Sequence, residues 1–236
     1  MPGPFDAERI IYGAPELVWQ HTSLPAVGWD LAIEIANFHW EMLSELIAGW
    51  RVSSPSDNAV VAIATHGLNL YTEILSAGAR GMFDAAAHMC RGLVDCSGLV
   101  VALAQDPASL EAFMSGEQGL AAKGRQISVN LLASIDPGNS ENTDAAWRKR
   151  QLALNRLAHV SLFHGDNVIE SQPAGWRPNA GGRLSIDSMR ALCYATMNAD
   201  NELMLHLVWV NDGRISTSWG EQLMQLQARV RLLEKD

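Results

Sequence analysis

An all-α chain folded as a single-domain bundle of six or seven helices is what three features of the sequence predict. Apolar residues recur with the helical period through several stretches of twenty residues or more. No stretch alternates convincingly enough to read as a strand, and no internal repeat is visible. Clusters of Pro, Gly, Asn and Ser punctuate the helical stretches where turns are needed. The 236 residues are 48% hydrophobic and 18% charged, which is the make-up of a chain that buries one real core.

Residues 1–25 carry several prolines and no sustained period, so they read as an N-terminal arm laid over a domain that runs from 26 to 236. From Ala26 to Trp50, Asp30, Glu34, Asn37, Glu41 and Glu45 fall on one side, and Leu31, Ile35, Phe38, Met42 and Leu46 on the other. This is an amphipathic helix with a wet acidic face. His39 and Trp40 flank its apolar side and read as packing. Ser53 to Asp57 supplies capping residues for a second helix over Asn58–Ala77, whose polar exceptions His66, Asn69 and Glu73 read as an inward-looking stripe.

The organising stretch is Arg80–Gln105. It reads as apolar nearly all the way round, with Asp84, His88, Arg91 and Asp95 forming one polar line along a buried rod. Charges removed from water must be met by partners. Either Arg91 and Asp95 form an intrahelical pair within a structural network, or the line borders a cleft in which Arg91 holds an anion.

Asp106-Pro107 ends that helix. Ala108–Ala133 is helical in one piece or two, with weak spots at Gly116, Gly119 and Gly124, and Ser134–Asp144 is a loop. A helix from Thr143 or Asp144 ends near Gly165. On it Ser161 and His164 share a face, whereas His159 points elsewhere. Residues 171–184 form a long Gly/Pro loop containing Trp176, read as a surface excursion or a lid. A long apolar helix from Ser185 to Val210 and a final helix starting at Ser216 or Thr217 complete the bundle.

The net charge is −9, with −10 on residues 1–120 and +1 on the remainder. Only the second half could offer a phosphate backbone a basic cluster, at Arg148, Lys149, Arg150 and Arg156. No long uninterrupted apolar run points to a membrane span, and the N-terminus lacks a secretory pattern. Cys90, Cys96 and Cys193 have no metal-type spacing, which fits a reducing, cytoplasmic location. The chain carries no P-loop, dinucleotide fingerprint, nucleophile elbow or zinc-finger spacing. No cofactor is expected.

Two motifs carry a resemblance. Arg91-Gly-Leu-Val-Asp95, followed by Ala104-Gln105-Asp106-Pro107, and the later Ser161-Leu-Phe-His164 resemble those of a bacterial all-helical family without an assigned function, itself distantly similar to HEPN domains. The match spans roughly residues 60–210. It implies a cleft built by Arg91, Asp95, Ser161 and His164 that binds or acts on RNA or a nucleotide, with His as general acid or base and Arg steadying a phosphate. HEPN ribonucleases separate their Arg and His by four to six residues on one helix; Arg156 stands too close to His159 and too far from His164 to match.

Two other classes compete. Asp84/His88 and Glu202/His206, with Glu34, Glu41, His66 and Glu73, could serve a haem-oxygenase-like di-metal oxygenase. Eight tryptophans, and a last helix with Leu223, Leu226, Val230 and Leu233 on one side, suit a non-catalytic homodimer.

Overall fold

In the computed structural model, Trp29 at 0% exposure begins the first helix, and the chain's most enclosed residues follow from the apolar period of each segment in turn. The structure describes residues 28–49, 54–79, 83–135, 141–142, 145, 148, 169–172, 175–178, 186–211 and 218–233. Seven helices are present among these: α1 (Trp29–Gly49), α2 (Pro55–Ala79), α3 (Phe83–Gln105), α4 (Ala108–Met114), α5 (Leu120–Ile135), α6 (Ile186–Val210) and α7 (Ser218–Leu233). Strands β1 (Ile169–Gln172) and β2 (Gly175–Pro178) form one antiparallel hairpin, with Ile169 opposite Pro178 and Gln172 opposite Gly175. The fold class is all-α, as the periodicity predicts.

The hairpin corrects the reading of 171–184 as loop alone and of the chain as free of strands. Four-residue strands carry too little alternation to register as a pattern. Pro178 sits at the open end, where the missing N–H costs the ladder least.

Helix α1 follows its sequence pattern: Ala32, Ile35, Met42, Leu43 and Leu46 are buried, while Asp30, Glu34, Glu41 and Glu45 are exposed. Helix α2 starts at Pro55, three residues earlier than the pattern suggests. Ser54 caps it by accepting the Asp57 N–H on Oγ at 3.1 Å, and proline at the first helical position forfeits no hydrogen bond.

Helix α3 is the hub and packs most extensively against α2, α5 and α6. Its stretch Ala85–Gln105 is long and apolar enough to cross a membrane, yet most of it is buried against the other helices. Asp106 closes it by accepting bonds from Ser109 Oγ at 2.6 Å and from Lys123 Nζ of α5. Those two bonds, Lys123 first, hold the Asp106 carboxyl below its usual range.

The segment 108–133 divides into α4 and α5 around Gly116 and Gly119, which take φ of +76° and +89°. Gly124 is no weak spot. A Cβ there would lie 1.8 Å from the Gly98 carbonyl oxygen, and a Cβ at Gly98 would lie 2.1 Å from the Ala121 carbonyl oxygen. Backbones of α3 and α5 therefore touch where neither carries a side chain.

Helix α7 lies on α1 and α6. Its apolar stripe, Leu223, Leu226 and Val230, is buried in the chain's own core and so is not free to dock a partner, contrary to the sequence expectation. Arg229 clamps Glu34 with two bonds of 2.6 and 2.7 Å, Trp219 Nε1 donates to Glu45 at 2.7 Å, and the Trp219 ring meets Phe38 edge-on at 4.9 Å.

The glycine contact gives a prediction whose sign is informative. Helix propensity alone makes Gly124→Ala stabilising by about 1 kcal/mol, whereas the contact with Gly98 makes it destabilising by about 2 kcal/mol or more. Denaturant unfolding of Gly124→Ala should show the loss.

Candidate functional site

Polar side chains concentrate along α6, which reads from sequence as simply apolar. Asp200 and His39 of α1 face each other with no exposed side-chain surface on either. His39 Nδ1–H donates to the two carboxylate oxygens at 2.9 and 3.1 Å. An isolated carboxylate could not be held in such surroundings; a charge-assisted hydrogen bond is what permits it. Tyr71 of α2 is enclosed nearby and donates to the Ala32 carbonyl at 2.8 Å. Burial first, then the Asp200 and Cys193 charges, raise its phenol well above the usual value.

The same burial governs the thiols. Cys96 is pushed up to about 12 by burial, with Asp95 and Asp200 adding to it, and Cys193 to about 12 by burial. All three cysteines are buried and unbridged. Thiols so far from ionising are not nucleophiles. Among the described residues, His39 Nε2 and both polar atoms of the buried Asn201 side chain have no hydrogen-bond partner.

A second group lies where α3, α5 and α6 meet. His206 Nδ1 is 3.1 Å from the Ser97 carbonyl oxygen, and its Nε2 is 3.2 Å from Ser128 Oγ of α5. A carbonyl oxygen can only accept, so Nδ1 carries the proton. In the neutral ring Nε2 is then the acceptor. Glu202, one turn earlier on α6, accepts from Ser97 Oγ at 3.2 Å.

The motif residues stand elsewhere. Arg91 is exposed, as is His88, and Asp95 is half-buried. His88 and Arg91 therefore form a wet edge of a helix that is enclosed mainly in its second half, and the expectation of a charged line buried along its length is corrected at these two positions; the Asp84 side chain lies outside what the structure describes. His66, Asn69 and Glu73 of α2 are likewise exposed, so the second stripe looks outward. Both helices are apolar enough that the helical period does not reveal which narrow strip stays wet. Burial raises the Asp95 carboxyl above its usual value, while the charges of Arg91 and of Arg125 on α5 pull it down. Ser161 and His164 lie outside the described residues.

No group of three or more His, Cys, Asp or Glu able to hold a metal occurs among the described residues. His206 already engages both ring nitrogens, and Glu34 is clamped by Arg229.

Neither the His39–Asp200 nor the Ser128–His206 pairing is visible in the sequence, where His39 reads as packing, His206 as a metal ligand beside Glu202, and no motif marks Asp200, Arg125 or Ser128. Their partners lie 161 and 78 residues apart, so no local spacing joins them. The available signals were an aspartate and an asparagine inside an apolar helix and a histidine on an apolar face. No protein-family model, curated protein or solved structure matches the chain.

The buried pair yields a double-mutant prediction. Removing one partner leaves the other uncompensated, so His39→Leu or Asp200→Leu alone should cost about 3–5 kcal/mol. The double variant should cost clearly less than the sum of the two. Urea unfolding of the four proteins measures the coupling.

Proposed function

We propose that the protein is a HEPN-like helical protein that binds RNA or a nucleotide through a phosphate-recognising site at Arg91 and Asp95, completed by Ser161 and His164. One observation supports this above the others: the exposed Arg91 stands a turn from a half-buried carboxylate that a second guanidinium, Arg125, also influences. A solvent-reaching arginine next to an acid held at raised pKa is suited to grip a phosphate and to pass or accept a proton beside it. The roles of Ser161 and His164 rest on the motif resemblance alone.

Asp95 also carries a stability consequence. Its folded pKa lies above the unfolded value near 3.8. Its protonated form therefore favours the fold at pH below that value, and this contribution is lost as pH rises through the folded pKa. At neutral pH the charge is a liability. Asp95→Asn should thus raise Tm at neutral pH, with no gain in acid, while weakening or abolishing function.

Fluorescence anisotropy with a labelled single-stranded RNA and with a labelled nucleotide tests the reading. Arg91→Ala should weaken binding about tenfold, the loss of one charged hydrogen bond, with the melting temperature unchanged. Absence of saturable binding to both probes, or wild-type affinity in Arg91→Ala, would overturn it.

A further inference from the structure

We infer that Ser128 and His206 form a nucleophile–base pair able to take an acyl group from a carboxylic ester, a chemistry distinct from the proposed phosphate recognition. The geometry holds the required parts in order. Ser128 Oγ and His206 Nε2 are 3.2 Å apart, and the opposite nitrogen of the ring is fixed by the Ser97 carbonyl at 3.1 Å. Nucleophile, base and orienting acceptor in sequence are the structural signature of an activated hydroxyl. The orienting group here is a backbone carbonyl in place of a carboxylate. Because it cannot donate, it forces the tautomer that leaves Nε2 free to receive the serine proton.

Both side chains are half-buried, which keeps them within reach of solvent while excluding bulk water from one side. The serine hydroxyl has a competing acceptor, the Gly124 carbonyl at 3.3 Å. Such back-bonding is ordinary for a serine inside a helix. What is not ordinary is the imidazole of another helix on the same oxygen. Arg125, three residues earlier on α5, shares the serine's face by the helical period, and its charge is the one we assign to steady the oxyanion. The glycine contact between α3 and α5 fixes this arrangement, since Gly124 and Arg125 are adjacent and Gly98 follows Ser97.

The step balances without another reagent. Ser128 Oγ bonds to the ester carbonyl carbon as its proton moves to His206 Nε2, and the carbonyl π pair becomes the oxyanion. Collapse breaks the bond to the alcohol oxygen, which leaves with the proton from His206. Water, deprotonated by the same nitrogen, then releases the carboxylic acid and restores the serine.

The test uses the full chain with a fluorophosphonate probe and an aryl acetate ester. One adduct per chain should form and map by peptide mass spectrometry to Ser128, and Ser128→Ala should remain unlabelled. His206→Gln should label about 100-fold more slowly with helical circular dichroism unchanged, and Arg125→Ala should slow release of the aryl alcohol. Should a variant fail to fold, the adduct map of the unaltered protein decides the matter by itself. No adduct on Ser128, or labelling of His206→Gln at the original rate, would leave the pair as a bridge between helices and overturn the proposal.

Discussion

A carboxylate and an imidazole, both shut off from water, meet where α1 crosses α6, and the rest of the bundle has to be arranged so that they can. Each group alone would be intolerable at that depth. Together they fix the position of α1 against α6 more sharply than apolar contacts could, because Ala, Leu and Met surfaces can slide past one another while a hydrogen-bonded pair has a single register. The pair spans 161 residues, so it ties the start of the described chain to its penultimate helix. Tyr71 and the buried thiols enclose it, and their raised pKa values express the same exclusion of water.

Two further contacts complete the frame from opposite directions. On one side Arg229, Trp219 and Phe38 lock α7 onto α1. On the other, α3 and α5 approach until their backbones touch at Gly98 and Gly124. The second contact matters for chemistry. It places Ser97, Arg125 and Ser128 within one turn of the crossing and brings the His206 ring onto two of them. Ser97, Arg125, Ser128 and His206 are therefore held by helix packing and not by loops, the arrangement that fixes side chains most tightly.

Much of this fold is legible in the sequence because long helices advertise themselves. The acidic and apolar faces of α1, the Asp106-Pro107 stop and the division near Gly116 follow from pattern and turn chemistry alone. The wet edge of α3 is not legible in the sequence, for a physical reason. Hydrophobic period reports the mean direction of burial, and on a helix as apolar as α3 a few charged residues barely shift that direction, so His88 and Arg91 read as buried when they are wet. Gly124 is the converse case: composition marks it as a weakness, and only the neighbouring backbone shows why a side chain is excluded. The residues that define the polar centre are joined across the chain, and a single sequence contains no record of such pairing.

The arrangement of α1 against α6 depends on the His39–Asp200 contact being formed and dry in solution. Proton–nitrogen correlation NMR of the imidazoles is the most direct measurement. The expected result is a resolved His39 Nδ1–H resonance that exchanges slowly with solvent and disappears in Asp200→Asn, Nδ1 being sheltered at full burial. A His39 ring whose protons exchange as fast as those of the exposed His66 and His88 would contradict it, and with it the proposed centre of the fold.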